Sequence, residues 1–227
     1  NSGFAFFSTP DVIKTIQLLP GVASGTELMS GLYVHGGDGS DNLFLLDGVP
    51  SYQVSHLGGL FSSFNTDVIE NIDFYKSGFP ARFGGKMSSV VDITTRDGNF
   101  YDYHGTFAIG LIDGHLQFEG PIVKGKTSFN VGLRRTWIET ISEPILYFFN
   151  KENQPDKLTL GYSFSDLNAK VTHKFSPKNV LRGSFYMGRD VFRYKQYNFS
   201  EYYQVGEDGV AEIHRQQEND VGIPMNW

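Results

Sequence analysis

The chain has 227 residues and a formal charge of −6 spread without a basic block, which excludes the basic face that double-stranded nucleic acid demands. Aromatics make up 15% and there are 26 Gly, above the roughly 7% usual for that residue, so strands and tight turns are expected. With no Cys there is neither a disulfide framework nor a thiolate metal site, and no run approaches about 18 apolar residues, which excludes a spanning helix but not a spanning β-barrel.

The chain opens on Asn1-Ser2-Gly3-Phe4 with no charged n-region or apolar h-region, so a mature or truncated product is expected. Thr9-Pro10 offers an N-cap and Pro at N1 for a helix carrying Val12, Ile16 and Leu19 on one face, stopped by Pro20-Gly21. Leu32 to His35 and Leu43 to Leu46 read as short strands around the turn-rich Gly36 to Asp41, and Asp47-Gly48 closes the second. Ser51 to Leu60 lacks a period and reads as a loop. Asp67 is placed to cap a short helix with Val68, Ile69 and Ile72, and Glu70 at the capping-box position. Phe74-Tyr75 and the β-branched Val90 to Thr95 follow as strands. Residues 1–97 thus read as a small mixed α/β domain.

From Asn99 onward the helix signals vanish and period-two segments take over. Phe107, Ile109 and Leu111 alternate with Thr106, Ala108 and Gly110. Leu116 and Phe118 oppose Gln117 and Glu119. Phe129, Val131 and Leu133 oppose Ser128, Asn130 and Gly132. Leu167, Ala169, Val171 and Phe175 oppose Asp166, Asn168, Lys170, Thr172 and Lys174. A fifth segment sets Leu181, Phe185 and Met187 against Arg182, Ser184 and Tyr186, and a sixth is expected near Trp227. Such alternation suits a soluble antiparallel sheet as well as a membrane barrel. Connection lengths favour the barrel: short turns follow Glu119 and Phe175, whereas Ile138 to Tyr162 and Tyr194 to Asn219 read as long loops. Trp137, Tyr162 and Phe192 fall near the long-loop ends, where an interfacial aromatic girdle would sit. Arg135 shares a face with Leu133 and Trp137, so it is expected near the outer rim, within reach of lipopolysaccharide phosphates.

Five stretches then carry a resemblance: Asp11 to Val22, Gly31 to Gly37 (Gly-Leu-Tyr-Val-His-Gly-Gly), Asn42 to Pro50 with its Asp47-Gly48, Val68 to Gly78, and Phe79 to Gly85 (Phe-Pro-Ala-Arg-Phe-Gly-Gly). In this order they resemble the plug of TonB-dependent outer-membrane receptors, over about residues 9 to 98. The later strands resemble the start of that family's barrel, including Glu119-Gly120-Pro121 before a turn. The nearest look is to the subgroup with a carboxypeptidase-regulatory-like domain and to its SusC-type relatives. His35 departs from the family's usual Arg in the glycine motif, and a neutral imidazole does not supply the same permanent charge.

The resemblance implies an α+β plug domain (1–97) followed by the antiparallel β-strands of an incomplete transmembrane β-barrel (98–227). The family barrel has about 22 strands, and the residues after Asp97 supply five or six. It also implies import of a scarce nutrient (glycan, peptide or siderophore) across the bacterial outer membrane, contact with outer-membrane lipid and lipopolysaccharide, and energy from TonB through a segment missing from this chain. A SusD-type surface lipoprotein is a further expected partner. Asp47 and Arg82, the charged members of two plug motifs, are expected in ion pairs that hold the plug to itself or to the wall. Tyr52, Gln53 and His56 are expected to face cargo. No nucleophile elbow, His-Glu-x-x-His or phosphate loop occurs, so no catalytic residue, metal or cofactor is assigned. The competing reading is a soluble β-rich adhesion or carbohydrate-binding module whose Phe and Tyr residues stack on sugars.

Overall fold

The computed structural model describes residues 5–6, 9–10, 12–18, 22–24, 32–34, 42–52, 54–57, 61–76, 78, 80, 82–83, 89–152, 157–205 and 211–226. The first strands are short: β1 (Ala5–Phe6) pairs antiparallel with β2 (Thr9–Pro10), so Thr9-Pro10 extends a strand rather than capping a helix. Helix α1 (Val12–Gln17) follows, with Val12, Ile13 and Ile16 buried along one side. Then β3 (Val22–Ser24) pairs with β4 (Leu32–Val34).

The centre of this α/β domain is a four-stranded sheet in the order β6-β5-β10-β9, built from β5 (Asn42–Leu46), β6 (Val49–Pro50), β9 (Ile69–Tyr75) and β10 (Ser89–Thr95). β10 runs parallel to β5 and antiparallel to β9. Two residues connect β5 to β6, and Asp47 and Gly48 have φ of 50° and 80°, the paired positive values of a type I′ hairpin. The core joins α1 to this sheet through Val12, Ile13, Ile16, Phe44, Phe64, Val91 and Ile93. Each such side chain contributes about 1.5–3 kcal/mol on burial.

Two local expectations are corrected. The stretch from Ser51 contains β7 (Ser55–His56), paired with β8 (Phe61–Ser62). The expected helix after Asp67 is only a 3₁₀ turn, Thr66–Val68, capped by the Asn65 side chain accepting from the Asp67 amide. Ile69, Ile72 and Phe74 instead continue as β9, because pairing with β10 lets all three pack against the core. Tertiary pairing outweighs a capping signal worth about 1 kcal/mol.

A six-stranded antiparallel sheet follows, in the order β11-β12-β13-β14-β15-β16: β11 (His104–Ile109), β12 (Asp113–Val123), β13 (Thr127–Thr136), β14 (Lys157–Ser176), β15 (Asn179–Val205) and β16 (Ala211–Asn226). Helix α2 (Ile138–Glu152) lies between β13 and β14. The expected loop from Tyr194 to Asn219 is largely strand: β15 has 27 residues, and its pairing with β16 continues to Val205↔Ala211. About 9–11 residues cross a bilayer, so this hairpin extends well past that span. The sixth strand accordingly begins before Trp227. No described helix is long and apolar enough to cross a membrane.

Contacts divide the chain into two compact units, one comprising Asn1–Thr136 with Ser165–Gly188 and the other Trp137–Phe164 with Arg189–Asn226. In the first, the α/β domain packs on the wall formed by β11 to β13 and parts of β14 and β15. In the second, α2 is tied to β14 by a hydrogen bond from Ser142 Oγ to the Leu160 carbonyl at 2.8 Å.

Candidate functional site

The wall strands carry polarity the wrong way round for a water-soluble protein. Ser128, Asn130, Arg134 and Thr136 of β13 and Asp166, Asn168, Lys170 and Thr172 of β14 are buried, whereas Phe107, Ile109, Leu133, Phe175, Leu181 and Phe185 are exposed. Strand pleating puts alternate residues on opposite faces, so each strand presents one apolar and one polar side. Lone exposed apolar residues are ordinary; a continuous apolar face over buried charge is not.

The buried polar face meets the α/β domain along a seam of hydrogen bonds and ion pairs. At its first cluster, Arg134 donates from Nε and Nη2 to Asp166 Oδ2 at 3.2 and 3.0 Å, and also donates from Nη2 to the Ser62 carbonyl. His56 Nε2 lies 3.0 Å from Asp166 Oδ1, placing His56 of β7 against β14. Tyr186 Oη donates to Asp166 Oδ1 at 3.1 Å. With His56 and Asp166 both buried, the carboxylate has lost its water, and these partners offset that desolvation cost.

At the second cluster, Asp47 accepts from the Thr95 amide (2.9 Å), Thr95 Oγ1 (2.5 Å), Ser184 Oγ (2.6 Å) and Lys170 Nζ (3.2 Å). Burial pushes the Asp47 carboxyl up, but the hydrogen bonds from Ser184 and Thr95 and the charge of Lys170 outweigh it and hold it below 3.8. Lys170 Nζ also donates to the Thr95 carbonyl at 2.7 Å and lies 3.4 Å from Asp97 Oδ1. Asp97 in turn takes a two-nitrogen contact from Arg182, with Nε at 2.9 Å from Oδ1 and Nη2 at 2.9 Å from Oδ2. Its carboxyl is raised by burial yet held below 3.8 overall by the Arg182 hydrogen bonds and the Lys170 charge. One lysine thus joins two carboxylates that lie 50 positions apart in the α/β domain.

Close backbone approach completes the seam. A Cβ at Gly132 would strike Val68 of the 3₁₀ turn, so only glycine lets β13 come this near. Gly98 has φ of 83° and sits against the Phe129 carbonyl, which pins the link into β11. Asn130 Nδ2 donates to the Arg96 carbonyl at 3.2 Å, and Ser128 Oγ to the Asp97 carbonyl at 2.6 Å. A cavity of about 240 Å³ opens along the seam, lined by Asp47, Thr95, Asn130, Asn168, Lys170 and Ser184 among others. Among the described residues, no cluster of His, Asp or Glu side chains is placed to hold a metal.

The site residues expected from sequence divide accordingly. Asp47 lies at the centre of the seam. Arg82 is 64% exposed and faces Asp92 at 3.8 Å within the α/β domain, stacking on Phe83, so it does not reach the wall. Tyr52 is 93% exposed, Gln53 lies outside the described residues, and His56 is fully buried against Asp166, which corrects its expected cargo-facing role. Trp137 follows the exposed face of Leu133 and Arg135 and is half-buried. Tyr162 corrects the girdle expectation: it is buried, with its ring 6.3 Å from that of Phe164. Phe192 is half-buried and shares the even-numbered side of β15 with the buried Asp190. His35 lies outside the described residues. Arg134, Asp166, Lys170 and Arg182 were not singled out from sequence; their polar parity within apolar strands was the available signal.

Residues 7–91 match the family model of the TonB-dependent Receptor Plug Domain. No curated protein matches the chain. Among solved structures, the chain is similar to the siderophore receptor PirA from Pseudomonas aeruginosa, with a TM-score of 0.53 and 16% identity over 87% of this chain and 35% of that one. It is also similar to the siderophore receptor PirA from Acinetobacter baumannii, with a TM-score of 0.51 and 14% identity over 95% of this chain and 41% of that one. At these identities the likeness establishes the fold: a plug domain followed by antiparallel wall strands. The chain spans less than half the length of either receptor.

Proposed function

We propose that this plug and wall belong to a TonB-dependent outer-membrane transporter that imports a scarce nutrient by rearrangement of the plug. The observation that carries the reading is the inverted polarity of the wall, with an apolar face outward and a charged face against the plug. Such a face suits lipid, and a bacterial outer-membrane barrel is the fold that presents it. A plug held by hydrogen bonds can part from its wall by exchanging them for water, and each exchange costs only about 0.5–1.5 kcal/mol net. An apolar interface of equal extent would resist separation. The same outward face disfavours the soluble adhesion or carbohydrate-binding module, whose apolar side chains would need a second layer.

Within this reading the protein performs no covalent chemistry, and TonB supplies energy through a segment upstream of the plug. The cargo is a siderophore, glycan or peptide. Siderophore receptors share the fold, and a SusD-type surface lipoprotein, as in SusC-type relatives, would accompany a glycan or peptide. Tyr52, the most exposed aromatic among the described residues of the plug, is the residue assigned to cargo contact. Arg135, exposed one residue before the end of β13, is assigned to lipopolysaccharide phosphates at the outer rim.

The test is a reversible tether. The chain has no Cys, and a Cβ at Gly132 would contact Val68, so Val68→Cys with Gly132→Cys joins plug to wall by one disulfide. Oxidised cells should bind cargo at the surface but lose energised uptake, with uptake restored by reductant. Uptake that continues with the tether closed, or a full-length protein that stays out of the outer-membrane fraction, would overturn the reading.

A further inference from the structure

We propose that the short-turn end of the wall is a binding surface for anionic glycerophospholipid headgroups, an inference that rests on the outer-membrane reading above. The turn between β12 and β13 carries Lys124 and Lys126, the end of β14 carries Lys174, and the turn into β15 carries Lys178; all four side chains are exposed. Local bonds join two of these positions and tie their turn to the link before β11. The Lys174 amide donates to the Lys126 carbonyl at 2.8 Å, and the Gly125 amide donates to the Phe100 carbonyl at 2.9 Å. Lys174 Nζ lies 3.5 Å from the centre of the Phe100 ring, so the lysine is fixed by a cation–π contact rather than by a carboxylate.

The surrounding charge does not neutralise this end. None of the four lysines forms an ion pair with a described carboxylate. Asp97 of the plug link is engaged by Arg182 and Lys170. Asp102 is exposed in the adjoining loop, and Glu119 of β12 is half-buried. Beside the lysines stands a band of exposed Tyr101, Tyr103, Ile122, Val123 and Phe175. Tyr103 stacks on Phe118 with ring centres 6.0 Å apart and donates from its hydroxyl to the Pro121 carbonyl at 2.9 Å, so the band is ordered.

Aromatic and aliphatic side chains adjoining lysines at a strand end match the boundary where acyl chains give way to headgroups. Short turns mark the periplasmic side of an outer-membrane barrel, where the leaflet is glycerophospholipid rather than lipopolysaccharide. A zwitterionic headgroup offers a phosphate with its own cation, whereas phosphatidylglycerol offers the phosphate alone, so four unneutralised lysines favour the anionic lipid.

The experiment uses the full-length protein purified in detergent, with binding of phosphatidylglycerol, phosphatidylcholine and lipopolysaccharide read by native mass spectrometry. Phosphatidylglycerol should bind at least tenfold more tightly than phosphatidylcholine. Lys124→Gln with Lys178→Gln should weaken phosphatidylglycerol by roughly thirtyfold, while Lys124→Arg with Lys178→Arg keeps it. Equal binding of the two phospholipids, or undiminished phosphatidylglycerol binding in the glutamine variant, would overturn the proposal. So would lipopolysaccharide binding that falls in parallel in that variant. Separate fractionation tells the two readings apart: a protein found in the outer membrane but indifferent to headgroup charge refutes only this inference, and a protein found in the soluble fraction refutes both.

Discussion

Replacing Lys170 with methionine removes the cation shared by two plug carboxylates. Its side chain is 4% exposed, and its ammonium lies 3.2 Å from Asp47, 3.4 Å from Asp97 and 2.7 Å from the Thr95 carbonyl. Breaking a buried ion pair by removing one partner costs about 3–5 kcal/mol, because the remaining charge stays buried without compensation. Here the carboxylates keep other donors, Ser184 and Thr95 for Asp47 and Arg182 for Asp97, and Asp97 is 24% exposed. The expected loss of plug stability is therefore about 2–3 kcal/mol, at or below the lower end of that range. Acid adds a second readout. Because the folded pKa of Asp47 lies below 3.8, its stabilisation is complete above that pH and is lost as pH falls through the depressed value. Without Lys170 one lowering cause is gone, so acid loosening of the plug begins at higher pH. Hydrogen exchange of the β5 and β10 amides in the detergent-purified protein, from about pH 3 to pH 7, measures both effects. Adding Asp47→Asn to Lys170→Met should recover part of the loss. Unchanged amide protection and acid midpoint in the single variant, or strictly additive losses in the double, would refute the shared-cation argument.

Other outcomes follow from the seam, the plug sheet and the outward face of the wall. His56→Gln should lower plug stability by about 1–3 kcal/mol, since Asp166 loses a buried donor but keeps Arg134 and Tyr186, while cargo affinity stays unchanged; a loss of cargo affinity at unchanged melting temperature would return His56 to a cargo-facing role. Gly132→Ala should cost about 1–3 kcal/mol in thermal unfolding by forcing β13 away from Val68, whereas Gly183→Ala, with no atom within 4 Å of the added Cβ, serves as the neutral control. Asp73 lies directly across from Asp92 in the β9–β10 ladder. Burial first, with help from Asp73 and Asp47, holds the Asp92 carboxyl above 3.8 despite Arg82. That raised value means stability is full below 3.8 and falls as pH rises through the folded pKa, so Asp73→Asn should stabilise the plug by about 0.2–1 kcal/mol near neutrality. The gain should vanish in acid, and denaturant midpoints at two pH values check it. Finally, Phe107→Arg on the exposed face should cost about 2–4 kcal/mol of barrel stability if that residue lies at mid-membrane depth, and bilayer folding titrations of the full-length protein would show it.

Much of the architecture was legible because it is written in periodicity. Strand pleating forces a two-residue repeat, so the polar set Asp166, Asn168, Lys170 and Thr172 could be assigned to one face before its partner was known. The Asp47-Gly48 hairpin was equally plain, since few residue pairs accept two positive φ values in succession. Segments with competing local signals were harder. Asp67 and Glu70 wrote a helix start, yet Ile69 to Tyr75 became a strand because β10 supplied a ladder and a core that no short-range signal announces. Tyr194 to Asn219, polar and lacking a clean apolar face, read as loop but forms strands through its own hairpin pairing.

What tertiary structure alone decided is which charge meets which. His56 and Asp166 lie 110 positions apart, and Asp47 and Lys170 are separated by 123. A sequence determines that a polar side chain must find a partner when buried, because desolvating a lone charge is prohibitive. It does not determine the register of one domain against another, since that depends on packing shape, down to the missing Cβ of Gly132 that admits Val68. The alternation therefore identified a wall with one charged face, and only the folded chain showed that face locked onto the plug through Asp47, Asp97 and His56.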